Sequence, residues 1–246
     1  MPKSKMQVYK AAILFMTILL PISLGGCGGT PTTDELWQAA MQDAVFSEDS
    51  EVMELVTLTP DDPNVIWDES GERVLLLTWH DYADECMQGN PMPPGDGGIW
   101  VTSLGEMMAW YKENHGGVSD WKLRFAQLLG VHVDEGYTRF TGFWALPEDV
   151  IRPAYLTDVT GQMENGYGKL QEGPYKDWFD QNILWSYFES DYPWTRLGYT
   201  YDWSGGATEY GLTEFLISDS SRTEIAFTCT TDEFVLWLES QLNETT

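Results

Sequence analysis

Positively charged residues are scarce in this 246-residue sequence, which has 13 Lys and Arg against 39 Asp and Glu. The formal net charge is −26 at pH 7. A chain of this charge is repelled by phosphate backbones and by anionic lipid headgroups. The composition therefore excludes a nucleic-acid-binding protein and a protein that reads a membrane surface through its charge.

The sequence also has few residues of the types that carry catalysis, with three Cys and three His. It lacks the Gly-x-Ser-x-Gly nucleophile motif, the His-Glu-x-x-His zinc motif, Cys-x-x-Cys, the phosphate-binding loop with its Lys, and the dinucleotide-binding glycines. These absences favour a protein that is not an enzyme. They predict no cofactor and leave a metal requirement undetermined.

No apolar run is long enough to cross a bilayer as a permanent helix, which takes about 20 residues. The longest such run, residues 11–20, follows the basic residues Lys3, Lys5 and Lys10, and small residues follow it. A cationic start, a short apolar run and a small-residue cleavage point are typical of a secretory signal peptide.

The end of this segment reads Leu24, Gly25, Gly26 and Cys27, which resembles the lipobox of bacterial lipoproteins. The resemblance covers residues 1–27 and implies cleavage before Cys27 and attachment of diacylglycerol to its thiol. Two or three acyl chains anchor a protein stably to a bilayer, whereas one chain holds it only marginally. The partner implied is thus the lipid bilayer of a cell membrane or outer membrane, with the protein on the side away from the cytoplasm.

This reading divides the chain into a signal peptide at residues 1–26, a lipidated Cys27 with a flexible tether at 27–33, and one acidic domain at 34–246. With 43% hydrophobic and 14% aromatic residues, the chain as a whole can bury a sizeable core. Strand and helix patterns alternate without a regular βαβ rhythm, so we predict an α+β fold with a mixed or antiparallel sheet. The predicted helices are 34–46, capped by Thr32 with Glu35, a helix that begins at Ser103, capped by Ser103 with Glu106, and 119–130, 175–189 and 232–242. The main predicted strands are 73–79, 99–102, 137–146 and a hairpin of 209–217 with 222–229.

The helix predicted at residues 175–189 carries aromatic and aliphatic side chains around almost its whole circumference. A helix that is apolar on all sides in a domain of this kind is normally surrounded by other elements. We therefore expect a largely buried aromatic helix.

Tryptophans cluster in and after this helix, at Trp178, Trp185, Trp194 and Trp203. They are candidates for a platform that binds sugar rings or peptides, and the alternative is a large aromatic core. Residues 178–203 resemble uncharacterised bacterial secreted and lipoprotein sequences. That resemblance implies no activity and no site residue.

Cys86 and Cys229 are the two thiols that remain if Cys27 carries lipid. Two remaining cysteines in an exported protein are candidates for a disulfide. The alternative is that Cys229, on the same strand face as Ile225 and Phe227, acts as a small buried hydrophobic residue.

Acidic residues offer weaker candidates for chemistry. Paired carboxyls about 5–9 Å apart can hydrolyse glycans. His80, beside Asp81, Asp84 and Glu85, is a candidate general base or metal ligand, and the alternative is a structural role. Carboxylates near the aromatic segment are Asp177, Asp180, Glu189, Asp191 and Asp202, and a loop with calcium-type oxygen donors contains Asp61, Asp62, Asn64, Asp68 and Glu69. The favoured function is a lipoprotein that binds a ligand or partner, and the alternatives are a glycan-directed hydrolase outside the cytoplasm and a structural envelope protein.

We predict that Cys27→Ser releases the protein from membranes or blocks its maturation, because only a thiol forms the thioether to the lipid. Membrane fractionation with and without detergent, combined with mass spectrometry of the N-terminus, measures both effects. Unchanged detergent-dependent attachment of the variant would refute the lipid anchor.

Overall fold

The structure, a computed structural model, describes residues 30–82, 86–95 and 97–244. The described residues from Thr32 onward form one compact unit. The predicted signal peptide and Cys27 lie outside the described residues. Among the helices of the described part, none combines the length and the hydropathy needed to cross a membrane.

The first helix begins where the sequence predicts. Thr32 Oγ1 accepts a hydrogen bond from Glu35 N at 3.2 Å, and the Glu35 carboxylate accepts from Thr32 N at 2.8 Å. This reciprocal pair satisfies backbone donors that have no partner within the helix. The helices are α1 (Thr33–Asp43), α2 (Leu104–Asn114), α3 (Trp121–Leu128), α4 (Pro174–Leu184) and α5 (Thr231–Glu244), and a π-helix (Trp185–Glu189) continues α4.

An antiparallel sheet of six strands forms the centre of the fold and confirms the α+β prediction. Its strand order is β4-β7-β2-β1-β3-β8, and β5 and β6 form a separate two-stranded sheet. The strands are β1 (Val74–His80), β2 (Ile99–Ser103), β3 (Arg139–Ala145), β4 (Val150–Ile151), β5 (Tyr199–Tyr201), β6 (Tyr210–Thr213), β7 (Phe215–Ile217) and β8 (Glu224–Thr230).

All seven residues of β1 are buried, as its continuous apolar sequence predicts. Leu75, Leu77 and Trp79 alternate onto the face covered by α1, α2, α3 and α5. Val74 and Leu76 face the other side, where they pack with residues of non-helical segments. A third apolar cluster surrounds Phe179 of α4.

Strands β1 and β2 are paired at one end only. The paired positions are Leu76 with Ser103 and Leu77 with Thr102. By contrast, β1 pairs with β3 at all seven of its residues, and β2 pairs with β7 from Ile99 onward. The sheet therefore opens between β1 and β2 while each strand stays bound to its other neighbour.

The hairpin predicted for residues 209–217 and 222–229 is wrong. The first segment divides at Glu214 into β6, which pairs with β5, and β7, which lies between β2 and β4 in the large sheet. The second segment is β8, which pairs with β3 at the far edge. Turn residues and strand spacing do not distinguish a hairpin from two strands that join different neighbours.

The capping role expected at Ser103 is also wrong. The Ser103 side chain makes no capping bond to α2 and donates instead to the backbone oxygen of Asn64. Glu106 is buried and accepts hydrogen bonds from Tyr210 Oη at 2.6 Å and Thr213 N at 2.9 Å. A tertiary contact thus replaces the local one.

The aromatic helix is less buried than its composition predicts. Phe179 and Ser186 are buried, but Leu184, Trp185 and Phe188 are 50%, 42% and 76% exposed. The π-helix contributes to this difference, because its wider turn changes the angular positions of the side chains that the sequence pattern assigns to an α-helix.

We predict that Phe234→Ala lowers the free energy of unfolding by about 3–5 kcal/mol, because the fully buried ring contacts Phe140 and its loss leaves a cavity. Urea unfolding monitored by circular dichroism measures this effect. Leu236→Ala, on the exposed face of the same helix, should change stability by about 0.5 kcal/mol or less. Equal effects of the two substitutions would contradict the assignment of the core face.

Candidate functional site

A cavity of about 310 Å³ lies where β1 and β2 separate. Residues 77–80 of β1 form one wall and residues 98–102 of β2 and its approach form another. The remaining walls come from β5, residues 129–131 after α3, the π-helix and residues 192–194, together with Tyr82, Tyr137, Phe140 and Glu214. The cavity therefore lies between the helix-covered core and the apolar cluster around α4.

Aromatic rings dominate the cavity. The main ones are Trp79, Trp100, Trp185, Trp194, Tyr192 and Tyr199. Trp185 and Tyr192 stack face to face, with ring centroids 5.3 Å apart and planes 15° from parallel. Because Trp185 and Tyr82 each keep 42% of their surface exposed, these two residues mark the open side of the cavity.

The backbone around Trp185 places this stacked pair. Ser190 N donates to Trp185 O at 2.9 Å, a hydrogen bond that closes the wide turn of the π-helix. Asp191 then adopts a φ of 54°, a conformation uncommon for a residue other than Gly. Tyr192 N donates back to Ser186 O at 2.8 Å. The chain thus reverses direction and brings Tyr192 against Trp185.

Glu214 contributes the one carboxyl among the described residues of the wall. It is the residue between β6 and β7, where the chain passes from the small sheet into the large one. Since Val101 pairs with Phe215, strand alternation places Glu214 on the same face as Thr102 and Trp100. That face is the one from which the cavity opens.

The Glu214 carboxyl has no ionic or hydrogen-bonding partner among the described residues, and desolvation alone raises its pKa from 4.5 to about 8. Its backbone N–H donates to Gly198 O at 2.9 Å. Some surface of the residue remains accessible although protein atoms surround the carboxyl, as expected for a group that faces an internal cavity. Thr102 beside it is buried, and its hydroxyl makes no hydrogen bond within the described structure.

His80 lies in the wall but is not a general base there. Its Nδ1 accepts from Tyr82 N at 3.0 Å, so Nε2 carries the proton and donates to Thr141 Oγ1 at 2.7 Å. Burial lowers the pKa of His80 to about 4, although the Asp81 charge opposes this shift. The imidazole is therefore neutral and structural. Two of the nearby acids considered with it, Asp84 and Glu85, lie outside the described residues.

The wall contains no Lys or Arg among its described residues. The buried arginines are used elsewhere: Arg152 donates to the backbone oxygens of Val56, Asp158 and Gly161, and Arg196 donates to those of Ala44 and Val45. These guanidinium groups satisfy backbone carbonyls and leave the cavity carboxyl without a counter-ion.

The four predicted tryptophans do not form one platform. Trp203 is buried against Trp37 and donates to Ala126 O, and Trp194 is buried with its indole N–H bound to Pro153 O. Trp178 packs against Trp194 at 5.9 Å and does not line the cavity. Trp185 is exposed at the open side, and only Trp185 and Trp194 belong to the wall. The cavity thus brings together two of the four, whereas Trp178 and Trp203 lie outside its wall.

Cys86 and Cys229 are not bonded to each other in the structure. Cys86 Sγ lies 4.0 Å from His80 Nε2. Cys229 lies on β8 opposite Phe140, and burial raises its thiol pKa to about 11. The disulfide prediction is thus not met, and Cys229 is a partly buried residue that packs against the helix-covered core.

The acids proposed for a carboxylate pair or a calcium loop have local structural roles where their contacts are defined. Asp202 forms an ion pair with Arg124, and Asp180 with Lys176. Asp62 accepts from Thr57 N at 2.7 Å, and Asp68 pairs with Arg73 at 2.9 Å. None of the ten acidic and amide residues named from the sequence lines the described wall of the cavity.

A separate group of three carboxyls, Asp43, Glu51 and Glu209, has oxygen atoms within 4.8 Å of one another. Tyr199 Oη donates to Glu209 at 2.5 Å, and Tyr201 Oη donates to Asp43 at 2.8 Å. Desolvation, with repulsion from Glu51 and Asp43, raises the pKa of Glu209 to about 7. These oxygens are of the type that binds a hard divalent cation. They lie outside the aromatic cavity.

Sequence reasoning missed Glu214, Trp79 and Trp100 as cavity residues. One pattern could have indicated Glu214: it is a single charge inside an otherwise uncharged run, residues 210–217. A lone acid in a buried strand pattern is costly unless it is paired or functional. The two tryptophans give no such indication, because a strand tryptophan is equally suited to a core.

No protein-family model, curated protein or solved structure matches this chain.

We predict that the protein loses stability as pH rises from about 4.5 to 7. Glu209 has a pKa of about 7 in the folded protein against an ordinary value of 4.5, so the folded state holds a proton that the unfolded state releases in this window. Glu209→Gln keeps an acceptor for the Tyr199 hydroxyl, and in this variant stability should fall less between pH 4.5 and 7. Urea unfolding at a series of pH values measures it, with the exposed Glu172→Gln as control. If the free energy of unfolding of Glu209→Gln falls with pH as steeply as that of the wild-type protein, Glu209 does not contribute to the pH dependence of stability.

Proposed function

We propose that this protein is a lipoprotein, anchored through Cys27 on the side of the membrane away from the cytoplasm, that binds a small organic ligand in the aromatic cavity between β1 and β2. The observation that carries the binding function is the cavity of about 310 Å³ with aromatic walls and a single carboxyl among its described lining residues. The lipobox supports the anchor.

The size and lining of the cavity support this proposal. Small-molecule sites have volumes of about 300–1,000 Å³ and combine apolar walls with a few polar groups. Here Thr102 and Glu214 are polar groups without partners of their own among the described residues. Rigid elements form most of the wall, so the site is preformed and binding needs little ordering of the chain.

Binding accounts for this geometry better than the two alternatives. Glycan hydrolysis by the usual mechanism needs two carboxyls about 5–9 Å apart, and the described wall supplies Glu214 alone. A purely structural protein has no use for an unpaired carboxyl in a cavity, because burial without a partner destabilises the fold.

The test is a screen of small neutral, cationic and anionic metabolites by thermal shift, followed by tryptophan fluorescence titration of each hit. Ligand binding should change the fluorescence, since four tryptophans line the cavity. We expect Trp185→Ala to weaken binding by about tenfold, because it removes one ring of the stacked pair at the open side.

Phe188→Ala is the matched control, because Phe188 lies in the same π-helix, is the more exposed of the two, and does not line the cavity. It should leave affinity unchanged. Ser186→Leu places a larger side chain at a buried wall position and should reduce binding of every hit. Equal affinities in all four proteins would place the ligand elsewhere.

A further inference from the structure

We infer that the ligand of this cavity is an organic cation, an ammonium compound whose positive charge lies beside the Glu214 carboxylate and whose substituents pack against the surrounding aromatic rings. This inference rests on the proposed binding function and specifies its ligand class. It goes beyond that function because an aromatic cavity alone would also accept a neutral ring.

The first argument is the missing counter-ion. Glu214 lies in a wall whose described residues include no Lys or Arg, and the one histidine of that described wall, His80, is held neutral by burial and by its hydrogen bonds. A buried carboxylate without a partner is strongly disfavoured, and a cation beside it removes most of that penalty. The protein thus supplies one half of an ion pair and leaves room for the other.

The second argument is the aromatic lining. Ammonium groups bind over the faces of Trp and Tyr rings, within about 6 Å of the ring centroid, and quaternary ammonium ligands are recognised by cages of such rings. Trp100 shares the sheet face of Glu214, and Trp194 packs edge-on against Trp100 with 6.3 Å between ring centroids. Rings and carboxyl therefore lie in one cavity, which is the combination that an ammonium ligand uses.

The third argument is the charge of the whole protein. At a net charge of −26, the electrostatic field draws small cations toward the molecule and repels anions. A carboxylate or phosphate ligand would meet this repulsion and, in the described wall, no basic group. The electrostatic field of the protein and the cavity with Glu214 thus both favour a positively charged ligand.

The protonation state of Glu214 determines whether binding of the cation releases a proton. Near neutral pH the carboxyl is mainly protonated, since its pKa is about 8. Binding of the cation favours the carboxylate, so the proton leaves Glu214 for solvent as the ion pair forms. Affinity should therefore rise by up to about tenfold per pH unit below pH 8 and level off above it.

Glu106, whose pKa burial raises to about 7, accepts a hydrogen bond from Thr213 N beside Glu214 but does not line the cavity. The tyrosines around Glu214 keep one state over this range. Tyr175 of α4 and Tyr187 of the π-helix feel its charge, and burial raises the pKa of each phenol. Burial likewise raises the pKa of Tyr199 in β5. On the β7 side, the Arg152 guanidinium lies 5.8 Å from the ring of Phe215 and bonds backbone carbonyls. Glu214 is thus the group that titrates in the cavity between pH 6 and 9.

The experiment compares choline with its uncharged isostere 3,3-dimethylbutan-1-ol, which has the same shape without the charge. Isothermal titration calorimetry on the full mature chain, in two buffers of different ionisation enthalpy, gives affinity and proton release from pH 6 to 9. We expect choline to bind at least about tenfold more tightly than the isostere at pH 9 and to release a proton at pH 7. Isostere affinity should not change with pH.

Glu214→Gln keeps the shape of the side chain and removes its charge. It should weaken choline binding at pH 9 by about thirtyfold or more, abolish the pH dependence, and leave isostere binding within about twofold. Retained isostere binding shows that the variant is folded. Glu209→Gln is the control, because Glu209 has a pKa of about 7 but lies outside the cavity, and it should keep the pH dependence of choline binding.

The outcomes separate the two proposals. Equal binding of choline and the isostere, with no effect of Glu214→Gln, overturns the cation assignment and leaves cavity binding in place. Absence of saturable binding of both probes at millimolar concentrations overturns both. A choline affinity whose pH dependence survives in Glu214→Gln shows that another group supplies the negative charge and also overturns the inference.

Discussion

The limited pairing of β1 with β2 is the constraint on which the rest of the site depends. Each strand is held along its outer side, β1 by β3 and β2 by β7, while the two meet at only two residue pairs. The opening that results would be filled with side chains in an ordinary sheet core, because protein interiors are close-packed. Here aromatic rings surround the opening without filling it, and Glu214 enters it at the junction of the two sheets.

The placement of charged groups inside the fold is as unusual as the net charge of the protein. Arg124 neutralises the buried Asp202, but the buried arginines Arg152 and Arg196 bond to backbone carbonyls and leave other enclosed acids without a counter-ion. As a result three carboxyls hold their protons unusually tightly: burial raises the pKa of Glu106 and Glu209 to about 7 and that of Glu214 to about 8. Two of them accept hydrogen bonds from tyrosine hydroxyls, and Glu214 alone faces the cavity.

Local patterns predicted the elements of this fold well, and contacts between distant residues account for what they missed. The buried strand at Val74–His80 and the cap at Thr32 follow from side chains near in sequence. The choice of partners for β7 and β8 does not, because identical strand patterns suit a hairpin or two separate pairings. The cavity was beyond prediction for the same reason: it exists only because β1 and β2 diverge. Trp203, predicted as part of a binding platform, is a core residue because Trp37, far away in sequence, covers it.

The π-helix at Trp185–Glu189 has a consequence for how the site can vary. Its five-residue hydrogen-bonded turn contains one residue more than an α-helical turn would. Deleting a single residue there would leave an ordinary α-helical turn in place of the wide turn closed by Ser190 N and Trp185 O, and would shorten the chain that connects Trp185 to Tyr192. An insertion or deletion of one residue in this turn can thus change the open side of the cavity, while the strands β1 and β2 that form two of its walls keep their register.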